Sequence, residues 1–543
     1  MKKVIIFAFL LTVIQTLQAR ERTRSEMVKS ALSVLQYGGT GDRKLAASSN
    51  SLNILQQDAS LTVMGNDALG FAVLSNDDAW PAVIGYSSET FHPETNDGLR
   101  WFLTVAAQSM SRDKQYEPVV PTGDFKPTVA PIVQTLWNQT APYNDQCPPD
   151  KGGTLCPTGC VATALAQIMY YWKYPVHGTG QGSVSVTSDG SGNSIFVDFG
   201  AATYDWDNML LDYETTDYTD TQANAVSTLM LHCGVAVDMK YDATGSGAYT
   251  HEARYGMIHY FNYNPGINML TRNYYSTTEW MKIIYEELNA GRPVYYTGVD
   301  ASQGGHAFVC DGYDASGYLH INWGWGAKGG NGYYDVALLD PSGYSFSNSQ
   351  DMLVGIAPTQ VMDYASHIIS NQEFTATRIN KALLNVNAGS MYNLTGESFT
   401  GEIAVLMDMG DSMKVLKSVA ANNITNYYTV GTLNGMVRLQ ISELEDGTYR
   451  VFVGSKSVKD NDWQLVRRAE GQANSYWLVV SNGDYTLSSV TDDSWATSIG
   501  GVKVSKSQVN EGVYGLDGRY LGSDINRLGK GLYIVNGKKV MKR

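Results

Sequence analysis

The segment Cys156-Pro-Thr-Gly-Cys160-Val-Ala-Thr-Ala-Leu-Ala-Gln-Ile-Met-Tyr-Tyr-Trp-Lys-Tyr-Pro175 leaves this chain little local choice. Ala162, Leu165, Ala166 and Met169 recur at helical spacing, and Pro175 marks the stop. Pro157, Thr158 and Gly159 cannot carry the helix backwards, so Cys160 falls in its first turn. There the unpaired N–H groups and the macrodipole favour a negative sulfur. Gly159 leaves room for a substrate to approach. A cysteine among alanines is also what a small buried hydrophobe looks like, so the segment predicts a helix without deciding what its first residue does.

A thiolate nucleophile needs a basic partner, and one of the eight histidines has the right setting. His306 stands in Gln303-Gly-Gly-His306-Ala-Phe-Val-Cys-Asp-Gly-Tyr, where two glycines allow close backbone approach and a short apolar strand gives a rigid mount. It follows Cys160 by 146 residues, a separation suited to two groups facing each other across two subdomains. An ordinary core histidine would fit the same words. His232 reads as packed in an apolar helix, and His251 and His259 as surface or loop residues. Asn322, in His320-Ile-Asn322-Trp323-Gly-Trp325-Gly, is placed to orient an imidazole, with the aromatic rings excluding water; a β-turn with aromatic packing reads the same way. An oxyanion needs donors: the Cys160 N–H is one, and Gln139 in Leu136-Trp-Asn-Gln139 is the candidate for the other, although a surface amide would look alike.

Composition narrows the function. Against 39 basic residues stand 53 acidic ones, a formal net charge of −14, which disfavours nucleic acid and anionic membrane surfaces as partners. Five scattered cysteines suit neither a disulfide scaffold nor a zinc ribbon. Gly324-Trp-Gly326-Ala-Lys-Gly329 matches a dinucleotide fingerprint literally, but Tyr333-Tyr-Asp-Val-Ala-Leu behind it reads as a strand, so no helix start is offered to a pyrophosphate. No cofactor or metal is expected.

Residues 1–19 read as a secretory signal: Lys2 and Lys3, an apolar run to Leu17, and a small Ala19 before Arg20-Glu21-Arg22. That run is too short for a spanning helix, and no later stretch reaches the length, so the mature chain is expected to be exported, with no transmembrane helix. Residues 26–36 and 99–110 have helical spacing, and strand-like runs start at Ser60, Gly70 and Pro81. Between Arg112 and Pro131 four prolines favour an extended, protease-accessible connection. From Val133 to about Pro358 a helix-rich half, centred on 159–173 and 221–233, precedes a strand-rich half with runs at 293–299, 306–311, 318–323 and 332–338. Beyond residue 361 short alternating strands suit a β-sandwich, and the last forty residues form a turn-and-strand tail.

Trp137-Asn-Gln139 with Pro142-Tyr-Asn, Thr158-Gly-Cys160-Val-Ala-Thr-Ala with Ala166-Gln-Ile-Met, Val235-Ala-Val-Asp-Met-Lys-Tyr with Gly245-Ser-Gly-Ala, and Gly305-His306-Ala-Phe-Val with Asn322-Trp-Gly-Trp-Gly together resemble the streptopain-type cysteine peptidases over about 225 residues. Gly70-Phe-Ala-Val-Leu-Ser-Asn-Asp-Asp-Ala-Trp-Pro-Ala-Val-Ile-Gly-Tyr is similar to that family's inhibitory prosegment, and the tail from Gly512 to the sorting modules of Bacteroidetes-type secretion.

The resemblance implies an α+β chain. A papain-like catalytic domain over residues 126–360 would have a helical half and a β-barrel-like half. It would be preceded by a small α+β prodomain and linker at 20–125. The resemblance says little about residues 361–490, where the strand pattern alone suggests an all-β, sandwich-like accessory domain, with a short β tail at 491–543. Cys160 would be the nucleophile, His306 the general base and acid, Gln139 the oxyanion donor, and Asn322 and Trp323 would share the orienting role. Cys147 and Cys156 are either a disulfide or two free thiols. The expected product is a secreted or cell-surface endopeptidase made as a zymogen. Its partners would be protein or peptide substrates and its own propeptide, and it would be monomeric. Two other classes stay open: another Cys–His hydrolase, such as a cell-wall amidase or a transglutaminase-like enzyme, and a binding protein with a vestigial dyad.

Overall fold

The computed structural model describes residues 20–35, 52–110, 118–188, 190, 192–300, 304–339, 350–362 and 365–491, with tail strands at 513–514, 520–522, 531–535 and 538–542. The signal segment at 1–19, most of the proline-poor part of the connection at 111–117 and the start of the tail at 492–512 lie outside the described residues.

Twelve strands and six helices precede residue 360. The strands are β1 (Asn53–Gln57), β2 (Leu61–Asn66), β3 (Gly70–Ser75), β4 (Val83–Ser87), β5 (Gln181–Ser185), β6 (Ser194–Asp198), β7 (Asn268–Thr271), β8 (Val294–Asp300), β9 (Gly304–Tyr313), β10 (Leu319–Asn322), β11 (Gly332–Tyr334) and β12 (Gln350–Val354). The helices are α1 (Arg24–Leu35), α2 (Asp97–Met110), α3 (Cys160–Trp172), α4 (Asp220–Ala236), α5 (Thr250–His259) and α6 (Thr277–Asn289). All but β5 and β6 join one sheet in the order β1-β2-β3-β4-β11-β10-β9-β8-β12-β7.

The strand-rich half, expected to be barrel-like and separate from the prodomain, is therefore the centre of an open sheet that runs on into residues 53–87. The physical reason is the edge of β11. This strand is only three residues long, and β4 covers its edge through Tyr86↔Tyr333 and Gly85↔Tyr334, leaving no unpaired ladder there. The expected strand at 332–338 stops at Tyr334 and turns into a 3₁₀ helix over Val336–Leu338.

Helix α3 is buried nearly all round, from Val161 to Met169, because its small Ala side chains admit close neighbours. Gly159, at φ 87°, enters the helix where a Cβ would lie 2.7 Å from Met239 Cε and 2.9 Å from the Ser246 carbonyl oxygen. Left-handed Lys173 ends the helix, just before Pro175. Helix α4 starts on a capping box between Thr219 and Gln222.

Residues 368–490 form two facing antiparallel-rich sheets. One contains Thr375–Asn380, Leu383–Asn393 and Thr429–Arg438; the other contains Phe399–Asp408, Met413–Ile424, Gly447–Ser457, Ser475–Ser481 and Asp484–Val490. Alternating side chains such as Ile403, Val405 and Met407 fill the space between them. This unit is docked, not tethered. Arg467, 1% exposed, bonds both oxygens of Glu279 at 2.8 and 3.0 Å and lies 4.0 Å above the Tyr275 ring. The Tyr275 hydroxyl meets His367 Nδ1 at 3.1 Å, and Leu394 and Ile369 pack into the core beneath the large sheet.

Removing one partner of a buried ion pair leaves an uncompensated charge. Arg467→Met alone should therefore lower stability in urea denaturation by about 3–5 kcal/mol, and the double variant Arg467→Met with Glu279→Leu by clearly less.

Candidate active site

Cys160 opens α3 and is half-buried against the start of β9. The backbone N–H groups of Ala307, of Val161 and of Cys160 itself draw the thiol towards ionisation. Burial outweighs them and, with the nearby Asp97 carboxylate, holds the thiol above its ordinary value. The helix-start argument thus names a real local field, but in this state desolvation wins.

His306 is the next residue back along β9, and it lines the same cleft as Cys160. Its Nε2–H donates to the Trp323 carbonyl oxygen at 3.0 Å. The ring lies nearly parallel to Trp325, 6.1 Å away, and to Phe308, 6.3 Å away. Burial pushes its pKa down to about 4, so the imidazole is neutral at pH 7. Among the described residues no hydrogen bond joins the imidazole to Cys160. Helix α2 packs on the ring: a Cβ on Gly98 would lie 2.8 Å from His306 Nε2 and 2.5 Å from Trp323 Cε3. The first turn of α2 therefore sits directly on the histidine and its tryptophan.

Gln139 is 4% exposed, and its Nε2 has no hydrogen-bond partner among the described residues. Its carbonyl oxygen accepts from Thr158 N at 3.0 Å, which ties it to the turn before Cys160. A buried, uncommitted amide donor is costly unless something transient uses it. Asn322 is fully engaged elsewhere. Its Nδ2 donates to the Thr135 carbonyl at 2.7 Å, and its Oδ1 accepts from Gln167 Nε2 at 3.2 Å and Gly324 N at 3.1 Å. In this state Asn322 braces α3 against the loop after β10, and the histidine is met by the Trp323 backbone. Cys147 and Cys156 are both buried and no disulfide joins them, and burial pushes Cys147 up to about 12.

Three features were not among the residues singled out from sequence. Gly98 lies just before the helix expected over residues 99–110, and no pattern marks it. The Ala307 N–H is backbone, which no side-chain pattern reports. His251, read as surface or loop, lies on α5 and lines the cleft. The helix is hard to see because a buried Arg254, bonded to the Ile267 carbonyl at 2.6 Å, and Gly256 interrupt its apolar face.

Residues 137–334 match the model of the Peptidase C10 family. The chain is 33% identical over 314 residues to the thiol protease/hemagglutinin PrtT of Porphyromonas gingivalis, a match covering 53% of this chain and 36% of that protein, so it spans well under half of PrtT. It is 30% identical over 318 residues to streptopain of Streptococcus pyogenes, covering 53% of this chain and 78% of streptopain. A solved fragment of Prevotella intermedia prointerpain A, 40% identical, superposes with a TM-score of 0.53 and covers 57% of this chain and 99% of the fragment. With more than three quarters of streptopain spanned, the chain belongs to the streptopain, or C10, family of cysteine endopeptidases.

Proposed function

We propose that this chain is an exported cysteine endopeptidase made as a zymogen, with Cys160 as nucleophile and His306 as its general base and acid. The observation that carries the reading is the shared end of β9. The Ala307 N–H favours the ionised sulfur, and His306, one residue earlier, lines the same cleft as Cys160. On this reading the imidazole leaves the Trp323 carbonyl and pairs with the thiol.

The state described is latent in chemical as well as steric terms. A neutral thiol and a neutral imidazole form no ion pair, and both are neutral because they are buried. When α2 leaves, water reaches both groups and their desolvation penalties fall. The imidazolium and thiolate can then stabilise each other. The thiolate adds to the peptide carbonyl, and the oxyanion is stabilised by the Cys160 N–H and the uncommitted Gln139 Nε2. His306 delivers its proton to the leaving amine and then takes one from the water that opens the acyl-enzyme. Asn322 acts through the frame it braces, and Trp323 shields the imidazole from water.

Cys160→Ala should abolish peptide hydrolysis and self-processing, a loss of about 10⁴–10⁶-fold. Self-cleavage of that variant in a purified time course would remove Cys160 from the reaction. Gln139→Ala should lower kcat by roughly 10²–10³-fold with little change in KM. Full activity would give the oxyanion to other donors.

Gly98→Ala tests latency separately. Overpacking of this kind costs about 1–3 kcal/mol, which would speed conversion of the precursor on the order of tenfold. The mature enzyme, which lacks residue 98, should be unaltered. Conversion at the parental rate would mean that the α2 contact does not hold the latent state.

A further inference from the structure

The cleft lined by Cys160 and His306 has a volume of about 880 Å³, and Leu394 and Tyr427 line it too. These last two belong to the C-terminal sandwich, and among the described residues none before Cys160 lines this space.

Tyr427 is held there with some care. It sits at φ 68°, a left-handed conformation that a tyrosine rarely adopts. Its N–H donates to the Asn393 carbonyl at 2.7 Å, and the Asn393 N–H returns a bond to the Tyr428 carbonyl at 3.0 Å. Asn393 Nδ2 also bonds the Ile424 carbonyl at 2.8 Å, and the neighbouring Asn426 Oδ1 accepts from Gly396 N at 3.0 Å. The turn is thus fixed on both sides, while Tyr427 stays 40% exposed and lines the cleft. That ring meets His251 edge-on at 5.4 Å, and His251 stacks on Tyr249 at 5.6 Å. Across from this aromatic wall lies the Asp351 carboxylate, which accepts from Thr271 Oγ1 at 2.7 Å. Burial pushes Asp351 up to about 6, and burial first and the Asp351 carboxylate second raise the Tyr427 phenol.

We propose that the sandwich is a working part of the substrate cleft: Tyr427 and His251 wall a subsite for a long polypeptide side chain, apolar along its stem and carrying a hydrogen-bond donor at its tip for Asp351, as in lysine, arginine or tyrosine. The proposal rests on the peptidase reading above. It also rests on the docking of the sandwich. Arg467, Tyr275 and Leu394 fix that unit to the catalytic core, so a loop carried by it acts as a wall and not as a swinging flap. Aromatic contact supplies attraction for the stem, and a desolvated carboxylate discriminates by what it leaves unpaired.

The test uses the self-processed full chain and a peptide library varied one position at a time. At one position the parent should prefer lysine, arginine or tyrosine over alanine. Tyr427→Ala should reduce that preference about 5- to 10-fold, mainly through KM, and Tyr427→Phe should keep it. Asp351→Asn should erase the preference for a donor tip and retain the preference for bulk. A library profile unchanged in both Tyr427→Ala and Asp351→Asn, or a loss spread evenly over all peptides, overturns the proposal. If the parent cleaves no peptide, the chemistry assigned to Cys160 and His306 is what has failed. The same peptides titrated into Cys160→Ala chain, with and without Tyr427→Ala, then decide the subsite on affinity alone: a weaker Kd confined to donor-tipped side chains supports it, and equal affinities overturn it.

Discussion

Strand β9 has to be buried on both faces, and the rest of the catalytic unit is arranged to satisfy it. Side chains alternate along a strand, so Ala307 and Val309 point one way and Phe308 and Cys310 the other. Ala307 and Val309 pack into the core around α3 and α4, while Phe308 and Cys310 pack into the core that contains α2, α6 and Trp101. His306 shares the parity of Phe308. With α2 in place it therefore lies on the side of the second core, against Trp323 and Gly98, although the N–H of its neighbour Ala307 favours an ionised Cys160 sulfur. On the proposed reading, latency and catalysis differ by whether the imidazole is held against the Trp323 carbonyl and Gly98.

The segment before residue 112 maintains the latent choice through backbone and side-chain contacts together. Strand β4 adds to the free edge of β11, and Glu89 Oε2 accepts from the N–H groups of Gly330 and Asn331 at 2.6 and 3.0 Å. Ser87 Oγ bonds the Asn331 carbonyl at 2.6 Å, and Asn96 Nδ2 bonds that of Gly329. These partners lie on the glycine-rich loop Gly324–Gly332, the stretch that imitates a dinucleotide motif. Its amides bind the carboxyl group of Glu89 from the same chain, which burial pushes up to about 8. The Asn331 side chain in turn holds Trp323 N at 2.8 Å, so the loop links the docked segment to the carbonyl that accepts from His306.

Much of this was legible because it is local. The periodicity of residues 160–172, the stop at Pro175 and the strand runs around His306 follow from patterns a few residues wide, and the observed elements match them closely. Contacts between distant segments are another matter. Gly98 looks like any helix residue until its missing Cβ is seen to make space for His306 and Trp323. The uncommitted amide of Gln139 shows only once every neighbouring acceptor has been assigned. Asn322 lay in the right stretch for the right chemistry, yet its three hydrogen bonds go to Thr135, Gln167 and Gly324. Sequence proximity to the histidine gave the neighbourhood, and only packing gives the partner. Asp351 and Tyr427 follow the same logic, since no pattern connects residues so far from Cys160 and His306.

The two appended regions act on opposite sides of the same site. The N-terminal segment covers the histidine's side and contributes no lining to the 880 Å³ cleft, whereas the sandwich walls the far end of that cleft and has no part in covering His306. Activation therefore requires no movement of the sandwich. The Arg467–Glu279 pair can stay closed while α2 departs, because its anchor is the first turn of α6 and not any element of the departing segment. A cleft whose far wall is already rigid loses less conformational entropy on binding a polypeptide than one that must close a loop over it. On this view the buried arginine contributes to substrate recognition by fixing the wall, without touching the substrate.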